Sequence, residues 1–219
     1  MGEHKLKKKA FRFTGVRLPK PTMTLIIISI SVIGIFAFNF SRRQRSPHAN
    51  GTASRSQGNP QANVRIAEFM DFQCSHCAEG SKILKEYLRK YPGQIYLAMQ
   101  YFPLGQLNSM LSAIYVECAA RQGKFWAYQD LLLAQQDKWR TLLNVKNTLR
   151  DYAQQAGVQV VALDQCVQQK DVPEMILKEK KLGESYQITS TPTYFINNKM
   201  VVGPEELKEK LGMLFKEKQ

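Results

Sequence analysis

Residues 64–70, VRIAEFM, alternate apolar and polar positions and are rich in strand formers, which predicts a strand over Val64–Met70. From about Ser75, SHCAEGSKILKEYLRKY switches to helical spacing, with Ile83, Leu84, Tyr87 and Leu88 on one apolar face. Pro92-Gly93 stops that helix, and QIYLAMQYF, Gln94 to Phe102, reads as a second strand. From Asn108 to about Gly183 the period is helical, with breaks at Gly123, around Asp137–Arg140, at Gly157 and near Asp171–Pro173. Four or five short helices are expected there, with Trp126 and Trp139 as packing residues. Strand character returns over Thr191–Asn197; Asn197-Asn198 suits a hairpin turn, and KMVV, Lys199 to Val202, is the returning strand. A last helix is predicted from about Pro204 to Lys216, with proline at its start. The order is strand, helix, strand, helical block, strand, strand, helix. It predicts an α/β domain over residues 64–219, with a parallel crossover, an antiparallel hairpin, a covering helix and a helical insertion at about 105–185.

Upstream the pattern differs. Pro21 to Ser41 contains no charged residue, and LIIISISVIGIFAF within it is mostly apolar. As a helix this segment would measure about 31 Å, near the hydrocarbon thickness of a bilayer. Lys5, Lys7, Lys8, Lys9, Arg12, Arg17 and Lys20 precede it, against Arg42, Arg43 and Arg45 after it. That asymmetry predicts a cytoplasmic basic segment over 1–20, a single transmembrane anchor over 21–41 contacting membrane lipid, and export of the rest from the cytoplasm. A cleaved signal peptide is the alternative, but FAFNFSRRQR lacks the small residues of a cleavage site. Residues 42–63, rich in Ser, Asn, Gly and Pro, read as a flexible linker, with His48 solvated in it.

The net charge of +13 changes this picture little. Residues 1–63 carry eleven Lys/Arg and one acid, whereas residues 64–219 carry twenty basic and seventeen acidic residues. The excess sits in the tail, so the domain lacks the basic stripe that nucleic-acid binding favours, and no nucleic-acid partner is expected.

The candidate chemistry lies in DFQCSHCAEG, Asp71 to Gly80. Cys74 falls between the first strand and the first helix. There unpaired backbone N–H groups and the helix dipole favour a thiolate, the reactive form of cysteine. His76, as a donor, would add to this. Cys77 lies one turn in, less exposed, so the spacing provides a nucleophile and a resolving thiol. Structural zinc usually takes four ligands, and no second C-x-x-C or H-x-x-x-H is present, so no metal is assigned. A purely structural Cys74–Cys77 bridge would close too short a loop to stabilise much. Glu68 is an acid within an apolar strand; it has either a task or a solvated face. Asp71 is expected to face solvent or a turn. Pro192 could be cis or an ordinary trans proline at a strand start.

Together EFMDF, the C-S-H-C at a helix start, the helical block and TPTYFINNKMVVG resemble the thioredoxin superfamily, and within it the bacterial DsbA-like thiol–disulfide oxidoreductases, over roughly Val64 to Phe215. The resemblance implies a thioredoxin fold, β-α-β then β-β-α, with the inserted helical domain. It implies that Pro192 is cis and faces the cysteines, with Thr191 pairing a substrate backbone. It implies that Glu68 is a buried acid assisting proton transfer at the inner cysteine. Ser75, also placed at the substrate-binding surface, stands where the family often has proline, and that position tunes redox poise.

Cys118 and Cys166 lie in different predicted helices. In an oxidising compartment they are expected to form a structural disulfide, leaving Cys74 to pair with Cys77; two buried thiols or a second redox relay are the alternatives. The expected activity is disulfide donation to exported proteins that carry cysteine thiols. The resemblance also implies a quinone-linked membrane partner, DsbB-like or similar to vitamin K epoxide reductase, for reoxidation, and no cofactor is assigned. A reductase or isomerase, for instance in cytochrome c maturation, is the same chemistry reversed. A tethered metal-binding or chaperone module is the rival from another class.

Overall fold

A computed structural model describes residues 53–216. The predicted segments 1–20 and 21–41, and the linker up to residue 52, lie outside the described residues. Among the described residues no helix is long and apolar enough to cross a membrane.

A 3₁₀ turn at Ala53–Arg55 leads into β1 (Ser56–Gly58), followed by β2 (Val64–Met70), α1 (Ser75–Lys90) and β3 (Ile95–Tyr101). Six helices follow: α2 (Ser109–Ala120), α3 (Phe125–Ala134), α4 (Gln136–Trp139), α5 (Lys146–Gln155), α6 (Val160–Cys166) and α7 (Asp171–Ser185). The chain closes with β4 (Thr193–Ile196), β5 (Lys199–Val202) and α8 (Gly203–Leu214). The sheet order is β1-β3-β2-β4-β5. β2 and β3 are parallel, which the intervening α1 permits, and the other pairs are antiparallel. At the β4–β5 hairpin Asn197 and Asn198 both take positive φ, the geometry a two-residue turn requires.

Alternation along β2 fixes the layers. Ile66 points to the side where α1 and α8 pack, in a core with Leu84, Tyr87, Tyr194, Leu207 and Leu211. Phe69 points to the other side, against Phe102, Ile188 and Phe195. The helical insertion has its own core around Val116, Phe125, Tyr128, Leu132, Trp139 and Leu149. Trp139 is fully buried and its indole N–H donates to the Leu132 carbonyl at 2.8 Å. Trp126 packs edge-on against Phe125. Both tryptophans are the packing residues their helical setting implied.

Three expectations need correction. The insertion holds six helices, not four or five, because the stretch read as a break around Asp137–Arg140 is largely the short helix α4. The break read near Asp171–Pro173 is the start of the long helix α7. Pro173 sits in its first turn, where the backbone N–H would have had no intrahelical partner anyway. The linker, expected as far as Asn63, is already folded from Ala53. Polar composition suggested a tether, but Arg55 is 1% exposed and enters a buried carboxylate cluster. It pairs with Glu117 of α2 at 3.4 Å and Glu179 of α7 at 2.5 Å, and lies 4.5 Å over the Tyr101 ring. β1 then adds to the sheet beside β3, and a Cβ on Gly58 would fall 2.1 Å from the Ile95 carbonyl oxygen, so only glycine fits.

Candidate active site

The site forms where β2 ends and α1 begins. Asp71 is 1% exposed, so it lies in a turn but not toward solvent. One carboxylate oxygen accepts the Gln73 N–H at 2.8 Å; the other accepts the Leu104 N–H at 2.8 Å and the Ser109 hydroxyl at 2.6 Å. Gln73 accepts the Asn108 N–H at 2.7 Å and donates to the Arg140 carbonyl. Gln136 of α4 donates to the carbonyls of Phe72 at 2.7 Å and Cys74 at 2.9 Å. The cysteine loop is therefore pinned to the insertion on three sides. Buried polar groups of this kind hold a conformation because leaving any one unpaired is costly. Sequence reading missed Gln73 and Gln136; their one signal was polar character beside apolar positions.

Cys74 is the N-cap of α1, with extended φ and ψ of −78° and 122°. Its sulfur is partly exposed, while Cys77 is fully buried, and both are free thiols. Cys74 ionises far more readily than an ordinary cysteine, its pKa lowered to about 5. The foremost cause is a hydrogen bond from the Cys77 thiol, against which partial burial works; the Thr191 hydroxyl and the N–H groups of Cys77 and His76 help. None of the N–H groups closes a capping hydrogen bond of normal geometry, so they act as dipoles at the helix start. The protonated thiol instead lies 3.3 Å from the Thr191 carbonyl, to which it donates. His76 is exposed, so its contribution comes from the backbone and not the imidazole. Ser75 is exposed beside it.

Cys77 behaves oppositely. Burial, the Cys74 partner and nearby Glu68 all push its thiol well above the usual range. Glu68 is 1% exposed, and burial raises its pKa from 4.5 to about 8 against the opposing influence of the neighbouring Tyr194 hydroxyl. Thr191 and Pro192 are joined by a cis peptide and are buried against the cysteines. The residues expected at the site, Cys74, Cys77, Glu68, Thr191 and Pro192, are thus brought together.

Cys118 and Cys166 are joined by a 2.05 Å disulfide within the insertion. Their sulfurs are therefore unavailable to complete a four-cysteine metal site with Cys74 and Cys77. Among the described residues no group of three or more His, Cys, Asp or Glu side chains is placed to hold a metal ion.

The sequence profile of the family described as thioredoxin matches residues 50–214. The chain belongs to the thioredoxin family. A Na⁺/H⁺ antiporter NhaA of Salinispora tropica is 27% identical over 154 residues, covering 69% of this chain and 23% of that protein. A Rickettsia felis protein provisionally named a protein-disulfide oxidoreductase is 26% identical over 144 residues, 64% of this chain and 51% of that protein. The chain thus spans about a quarter of the first and about half of the second. Among solved structures, α-DsbA1 of Wolbachia pipientis superposes with a TM-score of 0.65 at 22% identity, covering 74% of this chain and 89% of that one. That likeness establishes a thioredoxin-like α/β fold with DsbA-like structural neighbours.

Proposed function

We propose that this protein is a thiol–disulfide oxidoreductase that acts outside the cytoplasm as a dithiol oxidase. The observation that carries the reading is the contrast between an acidic, accessible Cys74 and a buried, weakly acidic Cys77 on one helix turn. In the oxidised protein a substrate thiolate attacks Cys74. A substrate–Cys74 disulfide forms, the Cys74–Cys77 bond breaks, and Cys77 leaves with the electron pair and takes up a proton. A second substrate thiolate then attacks the substrate sulfur of that mixed disulfide and expels Cys74 as a thiolate. The low pKa of Cys74 makes it a good leaving group, and Glu68, protonated at neutral pH, is the proton source for Cys77. Thr191 supplies backbone polar groups for an extended substrate chain. Exposed Ser75 and His76 border the approach to the sulfur.

The uncharged segment 21–41 and its basic flank support a single-pass anchor in the cytoplasmic membrane, with the catalytic domain facing exported proteins. A spent dithiol requires a reoxidant. A quinone-linked membrane protein, DsbB-like or similar to vitamin K epoxide reductase, fits that requirement.

Equilibration of the Cys74/Cys77 couple with glutathione buffers tests the direction of flow. An oxidase gives a potential more positive than about −180 mV, the range of disulfide isomerases. A potential near that of thioredoxin, about −270 mV, with a resting dithiol in the cell, would assign the protein to reduction instead. Oxidation of a peptide dithiol must also disappear in Cys74→Ser. Activity surviving that substitution would point to a non-catalytic module.

A further inference from the structure

Tyr194 is a buried polar side chain that the exchange steps above leave without a task. It follows the cis Thr191–Pro192 pair by two residues on β4, and in the antiparallel ladder it stands directly opposite Glu68 of β2. Side chains opposite each other in such a ladder share one face and lie within contact. The tyrosine ring is 0% exposed. Its hydroxyl pushes up against α1, where a Cβ on Gly80 would fall 2.0 Å from it, so the third residue after Cys77 must be glycine to admit it. The Pro192 ring touches the same spot. Both the Tyr194 hydroxyl and Glu68 Oε1 are buried with no hydrogen bond of normal geometry closed. A phenol carries a polar group into an apolar layer at a cost that a phenylalanine would avoid. That cost, the glycine opposite and the open carboxyl oxygen have one common explanation.

We propose that Tyr194 is a positioning residue for Glu68, its hydroxyl closing onto the carboxylate whenever Glu68 gives up its proton. The inference rests on the thiol–disulfide reading of the site. In the closing half-reaction, with oxidised glutathione as the oxidant, Cys74 holds glutathione in a mixed disulfide. The Cys77 proton passes to the Glu68 carboxylate, the Cys77 thiolate attacks the Cys74 sulfur, and glutathione leaves as a thiolate with the electron pair. Tyr194 keeps its own proton throughout, since burial and the neighbouring Glu68 and cysteines push its ionisation upward. It lends a hydrogen bond to the anionic carboxylate, and the same bond favours the ionised form of Glu68 against its burial. The titratable groups facing Glu68 are Tyr194 from β4 and Cys77 in the first turn of α1; its β3 partner in register is the apolar Met99.

The test is Tyr194→Phe, which keeps the ring and removes only the hydroxyl. Glu68 is titrated directly in reduced protein by carbon NMR of labelled glutamate carboxyls, its signal identified by its loss in Glu68→Gln. The midpoint should rise in Tyr194→Phe above the wild-type value; an unchanged or lowered midpoint overturns the proposal. In parallel, closure by oxidised glutathione is followed against pH. The profile of Tyr194→Phe should move to higher pH, with closure at pH 7 slowed about tenfold, the effect of one hydrogen bond to a charged group. In a Glu68→Gln background the tyrosine substitution should leave the profile where it is. An equal shift in both backgrounds would make Tyr194 merely structural and overturn the proposal. If wild-type protein exchanges no disulfide with glutathione, the proposed function falls, and the carboxyl titration still decides the role of Tyr194.

Discussion

Removing the Cys77 thiol should make Cys74 less acidic. Four influences favour the Cys74 thiolate, and the hydrogen bond from Cys77 stands first among them. The others, from Thr191 and the helix-start N–H groups, do not depend on that side chain. A hydrogen bond to a charged acceptor contributes about 1.5–3 kcal/mol, equivalent to roughly one to two pH units. Because the sulfur is only partly buried, water replaces some of the lost bond, and the lower end applies. Cys77→Ala should therefore raise the Cys74 midpoint from about 5 to about 6, still far below an ordinary cysteine. Iodoacetamide alkylation rates followed from pH 3 to 10, checked by thiolate absorbance, read this directly. An unchanged midpoint would refute the assignment of the main donor to Cys77. A wild-type midpoint near 8.5 would refute the whole account of the N-cap sulfur. Folding carries the same signature. The folded pKa is depressed, so the stabilisation of the reduced protein is complete above pH 9 and is lost as pH falls through 5. At pH 7 reduced wild type should exceed reduced Cys74→Ser by on the order of 2 kcal/mol in urea unfolding, and the difference should vanish below pH 5.

Three further outcomes follow from other parts of the site and its frame. Glu68 is held protonated by burial with its pKa raised from 4.5 to about 8, so it destabilises the fold increasingly as pH rises between those values. Glu68→Gln should remove the penalty, a gain of roughly 3 kcal/mol at pH 7 that shrinks toward zero at pH 4, measured by urea unfolding. Gly80→Ala places a methyl group 2.0 Å from the Tyr194 hydroxyl and should destabilise by about 1–3 kcal/mol; adding Tyr194→Phe should recover most of the loss, and thermal melts of the two variants check it. Replacing Cys118 and Cys166 together by alanine frees a loop spanning a sequence separation of 48 and should cost about 4 kcal/mol in urea unfolding, with the Cys74 alkylation midpoint unchanged.

The strands Val64–Met70 and Lys199–Val202 were legible residue for residue because each is a short run of strand formers bounded by local breakers, the second by the Asn197-Asn198 turn and Gly203-Pro204. The start of α1 was legible for the same reason: the change from alternation to helical spacing falls at Ser75. The reading failed where long-range contacts decide. Arg55 looks like a tether residue until Glu117 and Glu179, from two distant helices, meet it in the interior. For Asp71 the turn was legible but not its burial, because its three donors come from Gln73, Leu104 and Ser109, two of them more than thirty residues away. Tyr194 read as an ordinary strand aromatic; its hydroxyl acquires meaning only when the ladder register sets it opposite Glu68.

The two sulfurs differ because a helix start has an outside and an inside. At the N-cap, Cys74 meets donors and water; three residues on, Cys77 has turned beneath the helix and meets the apolar sheet face with Glu68. The consequence for electron flow comes from Cys74 alone. At pH 7 a thiolate whose pKa is about 5 stabilises the dithiol state relative to an ordinary cysteine by about two tenfold steps, which makes the couple roughly 60 mV more oxidising. Cys77 is protonated in the dithiol at that pH and adds nothing to this balance. Its high pKa acts on rate, because it must lose a proton before the disulfide can close again. Poise therefore resides in the exposed sulfur and its backbone surroundings, whereas speed resides in the buried layer of Cys77, Glu68 and Tyr194. Substitutions in these two layers should separate accordingly, those around Cys74 moving the potential and those around Glu68 moving the pH dependence of closure.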